Sequence, residues 1–316
     1  MLRLDLLAAK PRAFLSLTGL TPAAFGALYA DFAPAYQRHR HNSGTTRRGR
    51  RRRRAPGGGR PHALDLRHRL LLALVWLKVY PTFEVLGLFF GLDKGNARRN
   101  LLDVLEVLDT LDDFPFDRDP ADRPARPRSL EQVMEAFPAV RLVIDSKEQR
   151  TYRPGGSHER QKPFYSGKKK AHTLKTQLAV SPGGLIESLS PDVPGSVNDV
   201  RLLRETGLLG RLADGEQAMT DKGYEGADKG AAAALVMPKK DRKRNPCTEG
   251  DKARNRLIAR HRIVVEHAIA QLNRFTVLRQ VYRGCRMRHS QVVRVVAVLV
   301  NRRTRQTPLK RHAAAA

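Results

Sequence analysis

Cysteine is nearly missing from this chain. Cys247 and Cys285 lie far apart, with no CxxC and no His at zinc-finger spacing. That excludes a disulfide framework or a structural zinc site and fits a reducing compartment. Long hydrophobic runs are missing too. The longest, Leu70 to Val79, is flanked by charges and too short to span a bilayer, and the N-terminal Met1 to Lys10 meets charges too early for a secretory signal. These absences predict a soluble cytoplasmic protein with no membrane partner. Acidic residues are scarce, 31 against 59 Lys and Arg, and Glu266 is the only acid beyond Asp251. No internal repeat appears.

What is present is positive charge, +28 with a pI near 11.0, on a chain whose 41% apolar content is ordinary for a folded protein. Cationic side chains that neutralise phosphates release condensed counterions, so this balance points to a nucleic-acid partner. Charge of this kind can also serve a membrane surface, but no lysine-rich amphipathic helix supports that use. With 316 residues there is room for two or three domains.

Residues 1–38 carry helical spacing, with Thr21-Pro22 as a helix start. Residues 39–61 hold the unbroken run Arg50, Arg51, Arg52, Arg53 and Arg54 and no core-forming residue, and read as a flexible basic linker able to grip a phosphate backbone. In 62–111 a long apolar helix, a short helix, the turn Phe90-Gly-Leu-Asp93 and a third helix give the layout of an all-α helix-turn-helix DNA-binding region. Its third helix offers Lys94, Asn96, Arg98 and Arg99 near its start, where base and phosphate contacts are made. A plain three-helix bundle is the competing reading.

Residues 112–139, rich in Pro, Asp and Arg, read as a second linker. From 140 to 305 the period changes. Val140 to Asp145 is a short β-type run ending in a carboxylate, His172 to Leu189 is a hairpin turning at Ser181-Pro-Gly-Gly184, Gln217 to Asp221 is a strand ending in a carboxylate, and Ala234 to Pro238 is a further strand. Helices are expected over 199–209, 251–275 and 290–303. The sum is an α/β domain with a mixed sheet, followed by a disordered tail at 306–316.

Asp145 and Asp221 each close a β-type run, and Glu266 comes from a later helix. Three such carboxylates can hold two Mg²⁺ ions, because hard cations take oxygen ligands, and two ions about 4 Å apart stabilise both the attacking and the leaving oxygen of a phosphoryl displacement. Each acid has a plainer reading. A strand-closing Asp is often a cap, and Glu266 stands four residues after Arg262, where a helical ion pair is worth about half a kcal/mol.

The motifs Val143-Ile-Asp145, Tyr165-Ser-Gly-Lys-Lys-Lys-Ala-His172, Pro194-Gly-Ser-Val-Asn-Asp199, Thr220-Asp-Lys-Gly-Tyr224 and Arg262-Ile-Val-Val-Glu266 with Leu272-Asn-Arg-Phe275 resemble those of DDE-type transposases, the insertion-sequence-five and Harbinger-like group. The resemblance covers about residues 60–305. It implies an RNase H-like catalytic fold behind the helix-turn-helix region, Mg²⁺ or Mn²⁺ as cofactor with two ions per site, and Asp145, Asp221 and Glu266 as catalytic triad and metal ligands. It implies double-stranded DNA as partner, at terminal inverted repeats and a target site, which are cut and joined by a homodimer or larger assembly. Asp199 and Arg262 are accessory candidates, Asp199 alternatively a helix cap. Lys168, Lys169, Lys170, His172 and Arg274 are further candidates for DNA contact. Asn198 stands where the group has His, and Ala259 and Asn273 where a related signature has Tyr and Lys. A catalytically inactive DNA-binding descendant and a host nuclease that cuts without joining are the alternatives.

Overall fold

The computed structural model describes residues 2–42, 63–111, 114, 116, 136–229 and 235–306. Arg50 to Arg54, most of the expected 112–139 linker, Ala234 and the chain end from 307 lie outside the described residues. Two compact units divide the chain: Met1–Asp112 with Arg274–Arg279 and Gln291–Val298, and Asp113–Asn273 with Gln280–Ser290 and Leu299–Ala316.

The first unit is helical: α1 (Leu4–Ala8), α2 (Pro11–Thr18), α3 (Pro22–Asn42), α4 (Leu66–Val79), α5 (Phe83–Phe90) and α6 (Lys94–Asp109). The starts of α4, α5 and α6 follow from side chains that satisfy the free amides of a first turn. Asp65 accepts from the His68 amide at 2.8 Å, Thr82 from Val85 at 3.4 Å and Asp93 from Asn96 at 2.8 Å. Helix α4 is apolar on every side and buried from Arg69 to Leu77, as a central helix must be. Between α5 and α6, Gly91 takes a left-handed φ of 65°, and the Leu92 amide closes on the Gly87 carbonyl at 2.9 Å. A Cβ on Gly87 would meet the Leu92 carbonyl oxygen at 2.4 Å, so this tight turn requires glycine there. No single helix among the described residues is long and apolar enough to cross a membrane.

The second unit is built on a mixed sheet ordered β2-β3-β1-β6-β7, with β4 and β5 also paired to β3. The strands are β1 (Val140–Arg150), β2 (Tyr165–Ser166), β3 (Ala171–Val180), β4 (Ile186–Leu189), β5 (Val193–Pro194), β6 (Gln217–Met219) and β7 (Leu235–Val236). β1 runs antiparallel to β3, from Val143 opposite Val180 to Arg150 opposite Thr173, and parallel to β6, which is parallel to β7. Helices α7 (His158–Gln161), α8 (Asp199–Glu205), α9 (Glu249–Asn273), α10 (Thr276–Arg279) and α11 (His289–Gln306) complete the chain, the last two lying wholly or partly in the first unit.

Alternation along β1 sorts the two faces of the sheet. Leu142 and Ile144 pack with Phe116, Ala179, Leu203, Leu208, Leu209, Ala218 and Tyr224 in one core, while Asp145 turns toward α9, whose Arg262 it meets. A mixed sheet flanked by helices is the arrangement of an RNase H-like domain. One expectation needs correction. The first β-type run does not end at Asp145 but continues to Arg150, because Ser146 to Arg150 keep their ladder with β3. Asp145 is therefore a mid-strand residue.

Candidate active site

Asp145 is presented from the middle of the most central strand. One carboxylate oxygen accepts from the Ser146 amide at 2.7 Å, and the other lies 3.4 Å from Arg262 Nη2. Burial is the largest influence on its carboxyl and, with the charges of Asp221 and Asp199, pushes the pKa up; the Ser146 amide and Arg262 pull the other way. Asp221 follows β6 and accepts from the Gly223 amide at 2.8 Å, capping the short turn Lys222–Tyr224. Asp199 opens α8 and pairs with Lys175 Nζ at 3.0 Å. The cap of α8 is Asn198, which accepts from the Val200 amide at 2.8 Å. The helix-cap role considered for Asp199 thus falls to its neighbour. Gly195 of the same motif lies against β3, where a Cβ would stand 1.7 Å from Thr173 Oγ1.

Glu266 is exposed on α9, one turn beyond Arg262. The helical ion pair that the sequence allows does not form: Arg262 reaches across to Asp145. The charges of Asp221 and Asp199 both act on the Asp145 carboxyl. Among the described residues no three His, Cys, Asp or Glu side chains are gathered closely enough to hold a metal ion. In donor type and charge the acids nonetheless fit a hard divalent cation, since they offer only oxygens and the anions around half-buried Asp145 already oppose its ionisation.

Several partners of this site had no role in the sequence reading. Tyr224 Oη bonds Ser146 Oγ at 2.9 Å and accepts from Gln177 Nε2 at 3.1 Å, and burial raises its pKa. Lys147 is buried two residues after Asp145, which by alternation puts it on the same face, and burial lowers its pKa to about 8. Tyr224 sits in a quoted motif and Lys147 follows from strand alternation; Lys175 had no signal, because it depends on β3 pairing beside α8.

The expected DNA contacts are scattered over several elements. Lys94 pairs with Glu84 at 2.5 Å, Asn96 bonds the capping Asp93, Arg99 bonds Asn96 at 2.7 Å, and Arg98 is exposed. Lys168, Lys169 and Lys170 form the exposed tip between β2 and β3, with Lys170 at a φ of 49°, and His172 meets the Tyr165 ring edge-on at 5.7 Å. Arg274 is exposed in the first unit, its carbonyl accepting from Lys78 at 2.7 Å.

A helix-flanked mixed sheet with acids on and after its central strands fits the class of RNase H-like domains. Within that class, residues 144–301, half of the 316-residue chain, match the family described as DDE superfamily endonuclease, and the chain belongs to this family. It is also 27% identical over 243 residues, covering 77% of this chain and 82% of the relative, to the "Probable transposase for insertion sequence element IS702" of Microchaete diplosiphon. No solved structure matches. Endonucleases of this superfamily use divalent metals.

Proposed function

We propose that this chain is the transposase of an insertion sequence, of the insertion-sequence-five and Harbinger-like group, acting on DNA in the bacterial cytoplasm. The helix-turn-helix layout of α5 and α6, with Arg98 and Arg99, would read the terminal inverted repeats, and the second unit would cut the ends and join the 3′-hydroxyl to target DNA as a dimer or larger assembly. The observation that carries this reading is Asp145 on the central strand of a DDE-family domain, with the charges of Asp221 and Asp199 acting on its carboxyl. Asp145, Asp221 and Glu266 would hold Mg²⁺ or Mn²⁺, two ions in the full site. When bound, such a cation supplies Lewis acidity toward phosphoryl oxygens. The chain's own residues position and neutralise the DNA: Asp145 is fixed by the Ser146 amide, Asp221 by the Gly223 amide, and Arg262 brings a cation to the carboxylates that a phosphate can share.

Incubation with the element's end sequence, Mg²⁺ and a target plasmid tests this. Cleaved ends and joined products are expected; cleavage without joining would identify a nuclease, and absence of cleavage would refute an enzyme. Asp221→Asn should abolish cleavage, by a factor of thousands, with end binding retained. The Asp145–Arg262 pair and the exposure of Glu266 favour, as second reading, an inactive DNA-binding descendant; it is abandoned if the wild-type chain cuts.

A further inference from the structure

The second unit has a basic rim. It is made by the excursion from Arg150 to His172 and by the segment from Gln280 to Ser290. Backbone pairing joins them in a single row: Tyr282 bridges Thr151, the Thr151 amide bonds the His172 carbonyl at 2.9 Å, and His172 pairs with Tyr165. The Arg286 guanidinium sits over the Phe164 ring at 5.2 Å, fastening the later segment to the earlier one. Together they hold ten Lys and Arg (seven in 150–172, three in 280–290) and a single acid, Glu159.

Exposed apolar side chains collect at the same place. Tyr152 is 61% exposed, Tyr165 45% and Met287 93%. With Val281 they are four of the six large exposed hydrophobics among the described residues of the second unit, the others being Leu257 and Ile263 on α9. A duplex offers such a surface its phosphates and groove edges but no base faces, because its bases stack on one another. An unpaired strand presents base faces as well, and each can stack on an exposed ring while cations follow the backbone. Thr151 lies six residues beyond Asp145, just past the end of β1 and about 20 Å away at strand rise. A strand of a few nucleotides leaving the carboxylates can reach it.

We propose that this rim binds unpaired DNA, with Tyr152 and Tyr165 as stacking platforms and the Lys168–Lys170 tip as backbone contact. The placement relative to cleavage rests on the reading that Asp145 marks the cutting site; the binding itself does not. The test uses the full chain without divalent cation, a fluorescent oligothymidylate and a duplex of equal length. Tyr152→Ala and Tyr165→Ala should each weaken oligothymidylate binding about tenfold and leave duplex binding within twofold, while Tyr165→Phe, which keeps the ring, binds as wild type. Replacing all three tip lysines by Gln should weaken both probes and flatten their salt dependence. Alanine variants that bind oligothymidylate as wild type, or that lose both probes equally, overturn the proposal. An Asp221→Asn chain that still cleaves overturns the site reading instead and leaves these binding results standing.

Discussion

Arg262 and Asp145 show how one side chain changes the meaning of another. In the sequence Arg262 is placed to pair with Glu266, but in the fold it faces a half-buried carboxylate on β1 at 3.4 Å. Asp145 keeps its raised pKa because burial and two nearby acids outweigh that partner. Relative to the unfolded chain, the folded state therefore disfavours the ionised form of Asp145. Its ionisation costs stability as pH rises from the unfolded value of 3.8 through the higher folded one. A cation binds the ionised form, so its stabilising effect belongs above that window. Added MnCl2 at about ten times its Kd should stabilise the chain by about 1.4 kcal/mol, a rise of about 2–4 °C in thermal midpoint. The gain should be lost in Asp145→Asn and shrink as pH falls through the carboxylate range; an equal gain in the variant removes Asp145 from the cation site.

At the scale of elements, capping residues decide where helices begin. Asp93 starts α6 and orients Asn96, so Asp93→Ala should cost about 1 kcal/mol and weaken DNA-end binding, as followed by thermal unfolding and anisotropy. Helix α9 starts with a reciprocal cap: the Thr248 amide donates to Asp251 at 2.9 Å, and the Asp251 amide to Thr248 Oγ1 at 3.1 Å. Lys239, the Thr248 amide and the Thr248 hydroxyl hold the Asp251 carboxyl down to about 2. A depressed carboxyl contributes stability above its unfolded value of 3.8 that is lost as pH falls through about 2. Asp251→Asn should thus melt below wild type at neutral pH, and the two should converge near pH 2. Parallel melting differences at both pH values would show that the cap does not act through charge.

For the whole molecule, +28 of net charge sets the partner and its ionic-strength dependence. With about 6–10 phosphates contacted, affinity for DNA should fall by about 10³–10⁵ between 50 and 200 mM salt. A flat salt titration would show that the charge does not face DNA.

Periodicity and turn chemistry, both local, were legible in the residues alone. Thr82, Gly91 and Asp93 announce the α5–α6 turn, and Ser181 to Gly184 the β3–β4 hairpin, because capping and backbone freedom act within four residues. Excess positive charge and the motif set likewise pointed to the family without coordinates. The length of β1 depended on a partner strand some thirty residues away, and so did the mid-strand position of Asp145. Which acid Arg262 neutralises, and the meeting of Lys175 with Asp199, were decided only when the sheet and α9 packed, because such interactions require distant segments to come within a few ångströms. The chain by itself therefore determined its longer helices, its hairpin, its charge and its candidate acids; tertiary structure alone decided the extent of β1 and which partners those acids meet.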